Sequence, residues 1–443
     1  MGEAPPKLLE PPRDGADWRF VSAHRIGSAI TIAALLTTLV FAMRLAVQAI
    51  TLIAIAKTLG PVLYGAFSAT SALALTLGSL STFGTHLLLL AATSRQPDVL
   101  ASEARTAPPV TLVSGLLLLI AYHLIAFAWF KAGVIGVVPI IAIGLTEIIV
   151  QPLIQLVSVQ KQGRGEIARS QLLLVAPLVF RAGSAVFVTC FQVADPLLVY
   201  SCLSLAGTAL ILFLAILRDA AWVVRSSQWQ TPTFKELRRA FEFAILNLVA
   251  LAPAELDKVV AYKLLQSDAA GLYAAASRVL GAAVTPVVAL MVSVAPKLFN
   301  LDSLRQISSR HFVFCLFAVA GTYGVSIGAV IWAASGHVSG LFGPSYISLG
   351  ATINALVFIT PLLALRIVVG NVLMTLGFPL LRVSTELLGI VIFLVSTGLL
   401  IPPMGLIGMV IASALSETFV FVMGALWIFT RREDLQNPLS LEK

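Results

Sequence analysis

Charge is what this sequence has least of. Only 11% of its 443 residues are Asp, Glu, Lys or Arg, where a soluble domain carries about 25%. Most of the chain is therefore solvated by something other than water. Cysteine is scarce too. Cys190, Cys202 and Cys315 each fall inside an apolar run, and no paired spacing suggests a disulfide framework or a metal site. They read as small buried hydrophobes and do not reveal the redox compartment. No H-E-x-x-H, no paired acidic motif and no G-x-x-x-x-G-K-[ST] occurs, so the sequence offers no metalloprotease centre and no P-loop. No hydrophilic stretch approaches the ~50 residues of a separate domain. A membrane-embedded polymerase or sugar transferase would need clustered carboxylates, His or a metal on a sizeable loop, and none is present. The expectation is a protein that is not an enzyme and that holds no metal and no cofactor.

Apolar residues are abundant, at 58%. Runs of about 20, the length that crosses ~30 Å of hydrocarbon, recur along the chain. Backbone groups in lipid must be satisfied within the segment, so these runs are helices. Twelve are expected: approximately 27–55, 64–92, 109–130, 133–160, 170–191 and 196–217, then 240–264, 273–296, 311–334, 346–376, 379–401 and 405–430. The fold class is all-α, a polytopic membrane protein. Residues 1–26 are Pro-rich and charged and lead into a run far longer than a signal-peptide core, which reads as a retained anchor with a short cytoplasmic tail.

The net charge of +8 would suggest nucleic acid in a soluble protein. Here orientation explains it. With the N-terminus inside, and with Arg382 at the inner end of the eleventh span counted as cytoplasmic, 21 of the 29 Lys and Arg fall in cytoplasmic segments, three fall outside (Lys57, Lys131, Lys263) and five lie within spans. That bias puts both termini in the cytoplasm of a bacterial inner membrane. The basic segment 218–239, with Arg225, Lys235 and Arg238, is the candidate linker. It separates a six-helix lobe, 27–217, from a second, 240–430, and 431–443 forms a cytoplasmic tail.

The two lobes share a pattern. Lys57, Leu59, Gly65, Phe67, Ala69 and Ser71 coincide, after a shift of 206 residues, with Lys263, Leu265, Gly271, Tyr273, Ala275 and Ser277. Six spans per half give both halves one orientation, so the repeat is parallel, with a pseudo-two-fold axis along the membrane normal. Six plus six around a cleft is a transporter plan.

The stretch Leu59-Gly60-Pro61-Val62-Leu63-Tyr64-Gly65-Ala66-Phe67 resembles the "LGP-x-x-YG-x-F/Y" signature of the polysaccharide-biosynthesis flippases. These are the Wzx-like members of the multidrug/oligosaccharidyl-lipid/polysaccharide (MOP) exporter superfamily. Asp257-Lys258 and Gly271-Leu272-Tyr273-Ala274 through Arg278 are similar to that family's "D-K/R … GLYA-x-A-x-R" pattern. His86 is a departure that matches no motif of the family. The resemblance implies a cavity lined mainly by the first, second, seventh and eighth helices, alternating access, and an undecaprenyl-diphosphate-linked oligosaccharide as the solute flipped to the periplasmic leaflet. Membrane lipids, a polysaccharide polymerase and export proteins are the implied partners, with no role for nucleic acid. A cation-coupled multidrug exporter of the same superfamily is the alternative. Such exporters bind organic cations, for which a cavity rich in Arg and Lys is a poor match.

Ionisable groups within spans cost roughly 2.5–3.5 kcal/mol on insertion scales, so each is a functional candidate. The basic set is Arg44, Arg181, Lys258, Arg278 and Arg366. Arg44 stands out, with Thr37, Gln48 and Thr51 at helical offsets that make one polar stripe. Asn247 and Lys258 share a face of the seventh span, and Arg278, Gly281 and Thr285 make a similar stripe on the eighth. Arg181 and Arg366 fall in helices expected to be less central. Arginine suits bidentate phosphate contact and lysine acts as a point charge, so these five are the candidate substrate-binding residues. Glu147, Asp257 and Glu417 are the candidates for coupling to a proton or sodium ion, with Glu386, Glu255 and Glu242 nearby. Balancing the buried arginines is the competing, structural reading of these carboxylates. Glu147, Gln151, Gln155 and Ser158 form a polar stripe on the fourth span. His86 and His123 read as hydrogen-bonded packing residues, and Pro177, Pro253, Pro286 and Pro361 as bending points.

Overall fold

The computed structural model describes residues 18–95, 103–130, 132–218, 228–299 and 309–430, and every regular element among them is a helix. Ten of these helices are long and apolar enough to cross a membrane. Two physical facts relate this to the twelve expected spans. First, one apolar stretch runs 40 residues, Ala42–Ser81, which at 1.5 Å per residue is about twice the hydrocarbon thickness. It breaks at Gly60, whose φ of 68° and ψ of 168° leave helical space. The break separates α1 (18–59) from α2 (61–81, carried on by Thr85–Arg95). Second, helix α7, Phe234–Leu264, concentrates Glu255, Asp257 and Lys258 in a single turn, and a purely apolar criterion passes over it.

The other passes are α3 (Glu103–Trp129), α4 (Val137–Gly163), α5 (Ile167–Phe191) and α6 (Pro196–Arg218) in the first lobe. The second lobe adds α8 (267–299), α9 (Ser309–Phe342), α10 (Pro344–Thr375), α11 (Pro379–Met404) and α12 (Leu406–Thr430). Helix α1 begins at Trp18, inside the segment expected to be a tail. Helix α7 begins at Phe234, inside the expected linker, where Thr233 and Glu236 form a reciprocal cap. Arg225 and the tail 431–443 lie outside the described residues. Of the four prolines expected to bend helices, Pro177 and Pro253 sit in uninterrupted ones. Pro286 follows the break of α8 at Val284, and Pro361 follows a tight 3-10 turn.

Packing rests on small residues, because lipid is as apolar as leucine and helices associate through close contact rather than through water exclusion. Ala66, Ala69, Ala72 and Ala74 of α2 are buried with Tyr122, Ile140 and Ile148 in the first lobe. Ala274, Ala275 and Ala276 of α8 join Ile55, Tyr64, Leu349 and Ile353 in an apolar cluster that spans both lobes. At its centre α2 meets α8. A Cβ on Gly65 would come within 2.8 Å of Gly271 N, and one on Gly271 would overlap the Pro61 carbonyl. The two glycines that coincide in the sequence repeat thus touch each other, as residues flanking a pseudo-two-fold axis can.

Large apolar side chains such as Leu124, Phe191, Phe314, Phe358 and Leu399 are exposed, the pattern of a lipid-facing surface. Cys190, Cys202 and Cys315 are exposed as well, which corrects the expectation that they are buried. They sit on the outward faces of their helices, where a thiol is apolar enough for lipid. The orientation inferred from charge predicts that a reporter fused in the 228–233 stretch reads cytoplasm and one at Gly343 reads periplasm. The opposite result at either position would break the twelve-pass arrangement.

Candidate functional site

A cavity of about 670 Å³ lies between the lobes. All eight residues singled out in the sequence line it: Arg44, Arg181, Lys258, Arg278, Arg366, Glu147, Asp257 and Glu417. Its wall is wider than the four helices implied by the family resemblance. Helices α4, α5, α6, α9, α10, α11 and α12 contribute too, so Arg181 and Arg366 are central after all.

The charges are arranged in three groups. On the first lobe, Arg181 Nη1 of α5 meets Glu147 Oε1 of α4 at 2.6 Å. Glu147 stands in a π-helical turn, Leu145–Val150, that interrupts α4. A wider turn changes the phase of the helix, and such turns recur at functional sites. Glu147 and Gln151 face the cavity, whereas Ser158, further along the same predicted stripe, hydrogen-bonds Ser170 at 2.8 Å instead.

Where α7 meets α8, Arg278 grips Glu255 through two bonds, 3.0 and 2.8 Å. Lys258, only 3% exposed, reaches Asp257 at 3.0 Å and Glu255 at 3.8 Å and donates to the Ala254 carbonyl. Tyr273 and Ser277 of α8 both donate to Asp257 Oδ2 at 3.0 Å. On the second lobe, Arg366 of α10 binds Glu386 of α11 at 2.6 Å and Glu417 of α12 at 2.7 Å.

Four cations are therefore held by five carboxylates. Arg44 is exposed and has no ion-pair partner among the described residues. With it, and with Glu386 counted although it stands behind the wall on Arg366, the formal sum is zero. Expecting a cationic cavity from the sequence counted the arginines and the lysine but could not pair them. The pairing also removes the sequence-based objection to a cationic solute.

Three other sequence readings resolve here. Arg278, Gly281 and Thr285 line the cavity together, as their spacing implies. Asn247 does not join Lys258 there; it donates to the Ser79 carbonyl of α2 at 2.9 Å and ties α7 to α2. His86 is buried against Thr82 Oγ1 at 2.6 Å, and His123 bonds the Leu119 carbonyl, both packing roles. The aromatic part of the wall went unassigned. Tyr64, Phe67, Tyr200 and Tyr273 line the cavity, with Phe67 edge-on to Tyr200 at 5.6 Å. Tyr64, Phe67 and Tyr273 lie inside the two motifs, which was the available signal.

The fold and cavity define a two-lobed helical membrane protein with a polar chamber between its lobes. Solved structures of multidrug transporters share this architecture. The inward-facing conformation of a multidrug resistance MATE family transporter of the MOP superfamily superposes with a TM-score of 0.70 at 13% identity, covering 91% of this chain and 99% of that one. An outward-facing conformation gives 0.65 at 13% identity, covering 92% and 96%. The MATE multidrug transporter DinF-BH gives 0.65 at 17% identity, covering 94% and 97%. At these identities the likeness establishes the fold. No protein-family profile matches the sequence, and no curated protein is similar to it.

Proposed function

We propose that the chain is an alternating-access transporter of amphipathic organic solutes in a bacterial inner membrane, of the multidrug-exporter type. The observation that carries this reading is the charge balance of a chamber of about 670 Å³. That volume falls within the roughly 300–1,000 Å³ of pockets that hold one drug-sized molecule. A neutral, aromatic-walled chamber accepts an amphiphile of either sign, and the paired arginines no longer repel a cation. The MATE likeness supports the mechanism, in which two rigid lobes rock about a site between them.

Flipping of a lipid-diphosphate-linked oligosaccharide is the second reading. The unpaired Arg44 and the two sequence motifs favour it, and they would bring the polymerase and export proteins with them as partners. Arg44 separates the two. If it binds a diphosphate, Arg44→Lys keeps part of the activity and Arg44→Gln loses most of it, since one charge-assisted contact is worth about 1.5–3 kcal/mol, roughly ten- to a hundredfold in affinity. For a drug-type exporter the same substitutions leave efflux of a cationic dye within a few-fold of wild type. The assay is dye efflux beside export-dependent polysaccharide, both in a strain lacking the chain. Full polysaccharide export restored by the wild type and lost in Arg44→Glu, with no dye efflux from either, would overturn the exporter reading.

A further inference from the structure

Helices α10 and α11 run antiparallel from the turn at 376–378 and meet in register. Arg366 of α10 binds Glu386 of α11. One helical turn closer to the connection, Gly370 faces Arg382, whose Nε, Cζ and Nη2 lie 3.2–3.4 Å from where a Cβ on Gly370 would stand. The guanidinium thus takes the space that a side chain at 370 would fill. The two arginines of this seam are unequally served. Arg366 gives Nε and Nη2 to Glu386 and Nη1 to Glu417. Arg382 makes no ion pair among the described residues, and its Nε is buried without an acceptor. Glu417 has the opposite defect, since its Oε2 is buried with nothing donated to it. Buried polar atoms without partners are costly. In the first lobe, by contrast, Arg169 in the first turn of α5 is paired with Glu166 at 3.0 Å.

One rearrangement removes both defects. Arg382 and Glu386 are four residues apart on α11, a spacing at which side chains of a helix meet. When Glu386 turns to Arg382, the edge of Arg366 that it leaves is open to the free oxygen of Glu417. Two arginines and two carboxylates then pair one to one. We propose that Glu386 exchanges between Arg366 and Arg382, and that this exchange is a latch with one setting for each access state of the cavity. The latch rests on the reading that the two lobes rock, and deepens it by naming an element with two discrete arrangements. In the arrangement seen here, Glu386 ties α11 to α10 at the depth of the cavity, where Arg366 and Glu417 form part of the wall. In the other, Glu386 is tied within α11 and Arg366 to α12 alone, so α10 and α11 are free to part beside the cavity. Neither Glu386 nor Arg382 lines the cavity, so the latch works without touching the solute.

The test is double electron–electron resonance on the purified full chain in nanodiscs, in a background lacking Cys190, Cys202 and Cys315. Spin labels are placed on Leu217→Cys, in the last turn of α6, and Leu380→Cys, in the first turn of α11. Both leucines are exposed, and they stand in different lobes at the ends that the charge bias puts inside. Wild type is expected to show two distances. Arg382→Gln removes one setting and should shift the ratio of the two about tenfold or more, the worth of a charge-assisted contact. Arg382→Lys keeps the charge and should restore much of the second distance. Arg382→Gln should fold, because Arg382 has no partner in the arrangement seen here. A merely structural Arg382 would alter yield and leave the ratio alone. A single distance in wild type, an unaltered ratio in Arg382→Gln, or an Arg382→Gln that cannot fold would each overturn the proposal. Dye transport with a ratio indifferent to Arg382 would remove only the latch. A ratio that depends on Arg382 in a protein that moves no dye would leave the latch standing and remove only the drug-exporter reading.

Discussion

Gly271→Ala is expected to cut transport about fivefold to a hundredfold while the protein still inserts and folds. Helices α2 and α8 approach so closely that a methyl group on Gly271 falls on the Pro61 carbonyl, and the facing Gly65 has no room either. The obstructing atoms are backbone, so no rotamer change relieves the contact. The helices must separate at this point, next to the turn that joins α1 to α2. Overpacking of this kind costs about 1–3 kcal/mol. That is enough to move a two-state equilibrium about fivefold to a hundredfold towards the conformation in which these ends are apart. The measurement is labelling of Ser277→Cys, a cavity position, in a background lacking Cys190, Cys202 and Cys315, by a membrane-impermeant thiol reagent added from the side of the 59–61 turn. Labelling should rise sharply in Gly271→Ala. The control is Gly398→Ala on α11, outside the cavity lining, where nothing lies within 4 Å of the new methyl, and it should change neither labelling nor transport. Equal behaviour of the two variants would show that the glycine contact does not close the cavity.

The second large effect is expected from the ion pairs. Arg366→Gln strands two carboxylates, in residues 4% and 8% exposed, beside each other. Breaking a buried pair by removing one partner costs about 3–5 kcal/mol, because the remaining charge has no compensation. Folded yield should fall steeply. In the first lobe, Arg181→Gln and Glu147→Gln should each reduce the yield, and the double substitution should recover much of it, since two neutral amides can bond each other where two charges did. Asp257→Asn should be milder, because Tyr273 and Ser277 can still donate to the amide oxygen. The check is the fraction of monodisperse protein after detergent extraction, with transport measured per folded molecule. A double variant no better than the singles would mean that these pairs do not serve to balance charge.

Much of the fold could be read from the sequence because lipid imposes a simple rule, one apolar helix per crossing. The pass at α7 was legible although its charges cluster within one turn, because the flanking residues still alternate apolar faces. The repeat was legible through Lys57 and Lys263, Gly65 and Gly271, and the structure gives a reason for the match: the two glycines occupy one contact. Depth and partner were not legible. Nothing in a linear sequence says that Glu147 of α4 meets Arg181 of α5, or that Glu386 and Glu417 converge on Arg366, since helix spacing fixes neighbours within a helix but not between helices. The π turn at Leu145–Val150 was equally invisible. It resets the phase of Glu147 relative to the helix that follows, whereas Ser158 leaves the cavity by depth, two turns beyond Gln151 on a regular helix, where Ser170 takes its hydroxyl. Arg44 was judged by its own helix, and that reasoning sufficed to put it in the cavity, where it is the cation left without a carboxylate among the described residues.

The central claim is that pairing makes this chamber neutral and open to an amphipathic cation. Binding of a fluorescent cationic dye to the purified chain, followed by polarisation and competed with a lipid-linked diphosphate, tests it most directly. Saturable dye binding that the diphosphate does not displace is the expected result. No dye binding, with tight diphosphate binding that Arg44→Glu abolishes, would contradict it.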